Sequence, residues 1–316
     1  MKKELIISYE DDASKIALIE DGRLFELHEI KQNTDFVVGD IFVGKIKKLA
    51  PNLNAAFVNI GYEKDAFLHY QDLGPQYLTY RKFLQDTVSK RQQTSSLKNF
   101  QIQPEIDKHG TVDKVIAAQD EVLLQITKEP ISTKGPRIST QISLTGRFLV
   151  LIPFDNKVSI SKKVKSTEEK ARLKTLIESI KPEGFGVIIR TVAEGKKVAE
   201  LHNDMNQLVD KWNVCFKNIQ KNKTPAKVLS EEDKASAILR DNFNQDFVSI
   251  ICDDEQMVND MKNYLEVIAP ERKNIVQFYD SHIPLLEYYN VEKQLKQSFG
   301  KHVNIPSSKG AYLVIE

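Results

Sequence analysis

The chain has 316 residues, with 45 Lys and Arg against 44 Asp and Glu, a formal net charge of +1. That length corresponds to two or three domains at about 100–200 residues each, and 41% hydrophobic with 28% charged residues excludes whole-chain disorder. No run approaches the roughly 18 apolar residues of a membrane helix, and a near-neutral chain excludes nucleic-acid binding by bulk charge, leaving only a local basic patch.

The first elements read as strands. Leu5 to Tyr9 precedes a polar turn at Glu10-Asp11-Asp12, and Lys15 to Glu20 runs into Asp21-Gly22, a hairpin signal. Arg23 to Ile30 completes a meander. From Gly39 the strands become short and glycine-punctuated: Asp40 to Leu49, Ala55 to Gly61, Asp65 to His69 and, later, Glu121 to Glu129. This spacing predicts a small barrel. Residues 75 to 115 are polar and poorly periodic, and are expected to form a long mobile insertion. Phe148 to Pro153 reads as a buried strand, and Ser166 to Glu169 as the N-cap of a helix running from Lys170 to Ile180. Val187 to Thr191 is another strand, and a long helix is predicted from about Glu200 to Asn222. Ser230 to Asp233 is expected to cap a helix through Phe243. Then come a strand (Phe247 to Cys252), a helix (Asp254 to Ile268), a short strand (Ile275 to Tyr279) and a helix from Pro284 to Phe299. A strand, turn and strand close the chain through Ser307-Ser308-Lys309-Gly310. The N-terminus carries no apolar leader, and Cys215 and Cys252 lie far apart without CxxC or zinc-ligand spacing. Both features fit reduced thiols in a cytoplasmic protein.

Four groups of residues could carry chemistry. Phe57 and Phe67 each sit in a barrel strand, with Lys45, Lys47, Lys48, Lys64 and His69 near them in sequence. Aromatic side chains on the open face of such a barrel stack on unpaired bases while cations track phosphates. The same pattern suits two core phenylalanines, the commoner fate of that residue. The Lys134-Gly135-Pro136-Arg137 turn offers two cations and a backbone able to approach a phosphate, or simply a solvated turn. Arg190-Thr191 ends an apolar strand, with Gly146 and Val150 flanking the strand expected beside it. A guanidinium fork and a hydroxyl suit a terminal phosphate monoester, although a strand-end salt bridge explains the arginine as well. The acidic clusters Asp11-Asp12 and Asp253-Asp254-Glu255 sit where Asp has structural work, in turns and helix caps. Neither belongs to a recognisable two-metal carboxylate set, and the six histidines form no metal-binding pair.

Taken together, these segments resemble the ribonuclease E/G family of bacterial endoribonucleases. The resemblance rests on Gly44-Lys45-Ile46, Ala55-Ala56-Phe57-Val58-Asn59-Ile60-Gly61 and Ala66-Phe67-Leu68-His69. It continues through Lys134 to Thr140, Ile142 to Val150, and Gly186 to Gly195, in family order. It implies a multidomain α+β fold with a split RNase H-like subdomain at residues 1–36 and 226–300. An S1-type OB barrel at 37–140, holding the 75–115 insertion, and an α/β 5′-sensor subdomain at 141–225 lie between them. Residues 301–316 would begin a DNase I-like domain.

The resemblance also implies roles. Phe57 and Phe67 would stack on single-stranded RNA, with Lys134 and Lys45 contacting the strand. Gly146, Val150, Arg190 and Thr191 would surround a 5′-monophosphate. The family's Asp-Ile-Asn motif, which binds catalytic Mg²⁺, and its zinc-clasping CPxC motif follow the strand that here ends at Glu316. These 316 residues are therefore expected to bind and sense RNA and, alone, to hold neither catalytic residues, metal ligands nor a cofactor. The full-length family member is expected to use Mg²⁺ and Zn²⁺ and to be a homo-oligomer. A non-enzymatic RNA-binding or ribosome-associated module built on the same barrel is the alternative.

Overall fold

A computed structural model describes residues 1–10, 13–31, 36–305 and 310–314 as a mixed α+β protein. The chain divides into two compact units, Asp35–Glu231 and a discontinuous one made of Met1–Thr34 and Glu232–Glu316. Three strands open it: β1 (Lys3–Glu10), β2 (Ala13–Glu20) and β3 (Arg23–Lys31), paired antiparallel in succession. Asp21 and Gly22 both take positive φ (47° and 78°), the backbone that a tight hairpin between right-twisted strands requires. The Asp11-Asp12 turn lies outside the described residues.

The continuous unit begins with β4 (Ile41–Ala50), β5 (Ala55–Asn59) and β6 (Ala66–His69). After helices α1 (Tyr77–Val88) and α2 (Val112–Val115) come β7 (Glu121–Lys128) and β8 (Arg137–Ser139). β4 pairs with both β5 and β7, β5 with β6, β6 with β8, and β8 with β7, so the five strands close into a barrel. Closure removes free edges and gives every strand an inner and an outer face. Ile46, Ala56, Val58, Ala66, Leu68 and Leu124 fill the inside.

Residues 75–115 differ from the expected mobile insertion, for α1 is part of the core. Tyr80, Phe83 and Leu84 pack with Leu97 and Trp212, and Tyr77 plugs the barrel. Tyrosines and the buried Thr79 and Thr87 carry this helix's inner face, which disguises its apolar stripe in the sequence. Past α1 the chain is pinned: Trp212 Nε1 donates to the Ser95 carbonyl (2.9 Å) and Phe100 packs edge-on against Phe83.

The α/β layer of the same unit comprises β9 (Leu144–Thr145), β10 (Leu149–Pro153), β11 (Val158–Ile160), α3 (Thr167–Ile180), β12 (Phe185–Ile189) and α4 (Val198–Lys221). Its sheet runs β11-β12-β10-β9. Ser166 caps α3 by accepting from the Glu169 N–H at 3.1 Å, as the sequence predicts. Strand β13 (Ala226–Leu229) then returns to pair with β4, so residues 226–231 belong with the barrel unit and not with the segment that follows. Asp40 is the reason they stay there. Its carboxylate lies 2.8 Å from Lys227 Nζ and accepts from the Val37 and Glu231 N–H groups, tying the start of the unit to its end.

In the second segment of the discontinuous unit, α5 (Lys234–Asn242) is capped by Asp233 and not by Ser230. β14 (Phe247–Cys252) and β15 (Val276–Phe278) flank α6 (Glu255–Ile268). β14 lies parallel to β1 and β15 parallel to β14, giving the sheet order β15-β14-β1-β2-β3. The helix expected from Pro284 to Phe299 is two helices, α7 (Leu285–Tyr288) and α8 (Val291–Ser298), broken where Asn290 takes φ 55°. Strands β16 (His302–Asn304) and β17 (Tyr312–Val314) pair antiparallel, and the Ser307-Ser308-Lys309 turn between them lies outside the described residues. Burial pushes both the Cys215 and Cys252 thiols up to about 12, so neither is a nucleophile at neutral pH. Among the described residues, no helix is long and apolar enough to cross a membrane.

Replacing Asp40 with Ala strands Lys227 and two N–H groups. The expected loss is about 2–3 kcal/mol from the continuous unit, read by chemical denaturation.

Candidate functional site

The barrel's alternation decides where Phe57 and Phe67 go. Their even-numbered neighbours on β5 and β6 point inward, so both rings lie half-buried on the outer wall and outside the barrel core. They are directly opposed across the strand pair, centroids 5.8 Å apart and planes at 67°. The row continues in both directions. A bulge between Ile46 and Lys48 sets Lys48 beside Phe57, Arg137 lies beside Phe67, and a second irregularity on β7 sets Lys128 beside Arg137. Two aromatic faces are thus flanked by cations at both ends. Lys45 stands one step along, half-buried between Asn59 and Glu121, outside that row.

The 133–137 turn frames one side. A Cβ on Gly135 would lie 2.1 Å from the Asp65 carbonyl oxygen, so only glycine lets the turn press this closely on the chain entering β6. The Phe67 N–H donates to the Pro136 carbonyl (2.8 Å), and Lys134 is left exposed at the tip. Arg137 is partly committed, donating through Nε and Nη2 to Asp72 Oδ2 at 2.9 and 2.8 Å. Lys48, Lys128 and Lys134 have no ion-pair partner among the described residues. The cleft over the row has a volume of about 800 Å³ and is lined by Leu53, Phe57, Phe67, Ile131 and Lys134 among others. Flat apolar faces beside unpaired ammonium groups suit unpaired bases on a phosphate chain.

Gly146, Val150, Arg190 and Thr191 also come together, in the α/β layer. Val150 pairs with Ile188 across β10 and β12, and the Arg190 N–H donates to the Phe148 carbonyl at 2.8 Å. Arg190 Nη1 donates to the Gly146 carbonyl at 2.7 Å, which brings the guanidinium over the 146–149 turn. Thr191 Oγ1 lies 2.9 Å from Ser161 Oγ. A guanidinium beside a pair of hydroxyls is a set of donors for a phosphate group.

The turn itself is held from beneath by Asp204, which is 5% exposed. Its carboxylate accepts from the N–H groups of Arg147, Phe148 and Leu149 at 3.0, 2.9 and 2.9 Å. A Cβ on Gly146 would meet both carboxylate oxygens at 2.8 Å, which explains the glycine. Burial pushes the Asp204 carboxyl above the ordinary range, opposed by those three N–H groups and by the Arg190 guanidinium. Sequence reasoning missed Asp204, although a signal exists: it interrupts the apolar stripe Leu201, Met205, Leu208 and Trp212 of α4. It also missed Ser161 and Lys128, which only strand pairing brings to the site.

The other acids have structural partners. Asp253 accepts from Ser8 Oγ (2.8 Å) and the Tyr9 N–H (2.6 Å), and Asp254 caps α6. Among the described residues, no three His, Cys, Asp or Glu side chains converge as a metal site requires.

The sequence matches the ribonuclease E/G family over residues 143–316. It is 31% identical over 313 residues to ribonuclease G of Haemophilus influenzae, across 99% of this chain and 60% of that protein. Identity is 30% to ribonuclease E of a Nostoc species (100% of this chain, 42% of the relative) and 28% to ribonuclease G of Escherichia coli (100% and 60%). The chain thus spans 60% or less of the length of these relatives.

Beside the pocket, Glu169 accepts two hydrogen bonds from Arg172 and one from the Gly195 N–H, fixing the 193–196 loop. The Arg172 guanidinium, then the Gly195 N–H, holds the Glu169 carboxyl down at about 2. A depressed folded pKa stabilises above the ordinary 4.5, and that stabilisation is lost as pH falls toward 2. Glu169→Gln is accordingly expected to flatten the acid limb of a stability-against-pH curve between 4.5 and 2.

Proposed function

The chain belongs to the ribonuclease E/G family, and on that premise we propose that residues 1–316 supply substrate recognition in the processing of single-stranded RNA. The observation that carries the reading is the outer barrel row, Lys48–Phe57–Phe67–Arg137–Lys128. Bases stack on the two phenylalanines, and the flanking ammonium groups, with Lys134 and Lys45, track the phosphates. Every base has a π-face, so this surface accepts many sequences but not a duplex, whose bases are already stacked.

The second site reads the end of the strand. Arg190 and the Thr191 hydroxyl, over the turn at Gly146 and beside Val150, receive a 5′-monophosphate. A terminal monoester offers three acceptor oxygens and close to two charges, which a 5′-hydroxyl lacks. Asp204 acts through the turn and so positions the site without touching the ligand.

The sheet order β15-β14-β1-β2-β3, an antiparallel meander with two parallel strands added, supports an RNase H-like reading of the discontinuous unit. The closed barrel supports the S1-type OB reading. On this account 37–140 is the barrel domain, 141–225 the 5′ sensor and 301–316 the start of a further domain. Mg²⁺ would supply the phosphodiester chemistry, and the residues described here do not form a site for it. No step is therefore assigned to a metal, and the 316 residues alone are expected to bind RNA without cutting it. The full-length protein is read as a cytoplasmic homo-oligomer, with Zn²⁺ available to clasp subunits.

Two outcomes test the reading. Phe57→Ala with Phe67→Ala should weaken binding to a single-stranded decamer by at least tenfold, since stacking contributes about 1–3 kcal/mol per base. Because both rings lie outside the core, thermal stability should hold. Arg190→Ala should abolish any preference for a 5′-monophosphate over a 5′-hydroxyl while largely sparing affinity through the barrel. Equal affinity of the unmutated chain for both ends would refute the sensor.

A further inference from the structure

The segment between β7 and β8 forms a small arm over the cleft. Ile131 and Lys134 make an isolated antiparallel bridge, with the Lys134 N–H donating to the Ile131 carbonyl at 3.0 Å. Ser132 takes φ 52° at the turn between them, a left-handed backbone that non-glycine residues seldom adopt. Directly opposed residues of such a bridge present their side chains to the same face. An apolar group and an ammonium group therefore face the cleft together, and both line it with Phe57 and Phe67.

The arm is held at both ends. Lys64 Nζ donates to the Ser132 carbonyl at 2.9 Å. Gly135 is pressed onto the Asp65 carbonyl oxygen, where any side chain would collide. Nothing in folding calls for isoleucine at the tip, since Ile131 is 69% exposed. Leu53, 57% exposed, is a second large apolar side chain left on the wall of the same cleft. Single exposed apolar residues are ordinary. Two of them around one pair of half-buried aromatic rings, with unpaired lysines at the rim, make a slot with an apolar lining and a cationic edge. The acids at the rim are neutralised locally, Glu63 by Lys64 and Asp65 by Lys47.

We infer that this slot takes a single unpaired nucleobase, with Ile131 as the wall facing the phenylalanine pair and Lys134 receiving the phosphate attached to that base. The inference rests on the RNA-recognition reading above and deepens it. Ile131 becomes a binding residue that contacts the base, and Lys64 a positioning residue that acts through the arm. Because a base must leave its stack to enter, the arm sets selectivity for single strands.

The test measures binding of the chain to an eight-residue single-stranded RNA and to the same strand with its bases removed. Ile131→Ala should weaken binding to the complete strand by roughly fivefold to twentyfold, the loss expected for part of a buried aliphatic side chain. It should leave affinity for the abasic strand unchanged. Ile131→Met, which keeps an apolar wall, should restore most of the affinity, and both variants should melt where the unmutated chain does. An equal loss on both strands would place Ile131 against the backbone and overturn the base slot. No loss with Ile131→Ala alongside a clear loss with Phe57→Ala would overturn the arm alone. No loss with either would overturn the recognition reading beneath it.

Discussion

Closure of the five-stranded barrel through β4, which pairs on one side with β5 and on the other with β7, is the constraint on which the candidate site depends. A closed sheet has no free edge, so each residue must point either into the core or out of it. With Ala56, Val58, Ala66 and Leu68 filling the inside, Phe57 and Phe67 have only the outer wall. Two irregularities in register then bring lysines level with them. Small residues inside and large aromatic residues outside invert the usual order, and the protein accepts half-exposed aromatic rings in return for a usable surface.

The second constraint is a shared core within the continuous unit. Ile41, Val43 and Leu123 on the barrel's outer face pack in the same cluster as Phe83 of α1, Trp212 of α4 and Leu149 and Ile189 of the α/β sheet. Burying those faces against one another fixes the sheet that carries Arg190 to the barrel that carries Phe57 and Phe67. Asp40 and Lys227 add the electrostatic tie between the first and last strands of the unit. Within the α/β layer, Asp204 does by hydrogen bonding what packing cannot. It turns three backbone N–H groups toward one carboxylate, so the Gly146 carbonyl is left to receive Arg190.

Much of this is written in local sequence. The Asp21-Gly22 hairpin, the Ser166 cap, the strand at Phe247 and the helix that follows Asp254 are each set by residues within a few positions, and each forms at those positions. What escaped is non-local or disguised. Helix α1 hides its inner face behind tyrosines and threonines. The break at Asn290 depends on a left-handed residue inside an otherwise helical pattern. At the site, Phe57, Phe67, Arg190 and Thr191 stand out by residue type, but nothing in periodicity distinguishes an outward phenylalanine from a core one until strand pairing is known. Ser161, Lys128 and Asp204 come to their places only through pairing and packing across many residues. Asp204 alone leaves a trace, a carboxylate on an apolar stripe.

The central claim is that single-stranded RNA lies along the outer barrel row. Photocrosslinking the chain to a 5′-monophosphorylated single-stranded RNA carrying 4-thiouridine, followed by peptide mapping, tests it most directly. The account predicts crosslinks in the stretches around Phe57, Phe67 and Ile131, competed by single-stranded RNA and not by duplex. Crosslinks confined to Met1–Thr34 and Glu232–Glu316, or competed equally by duplex, would contradict it.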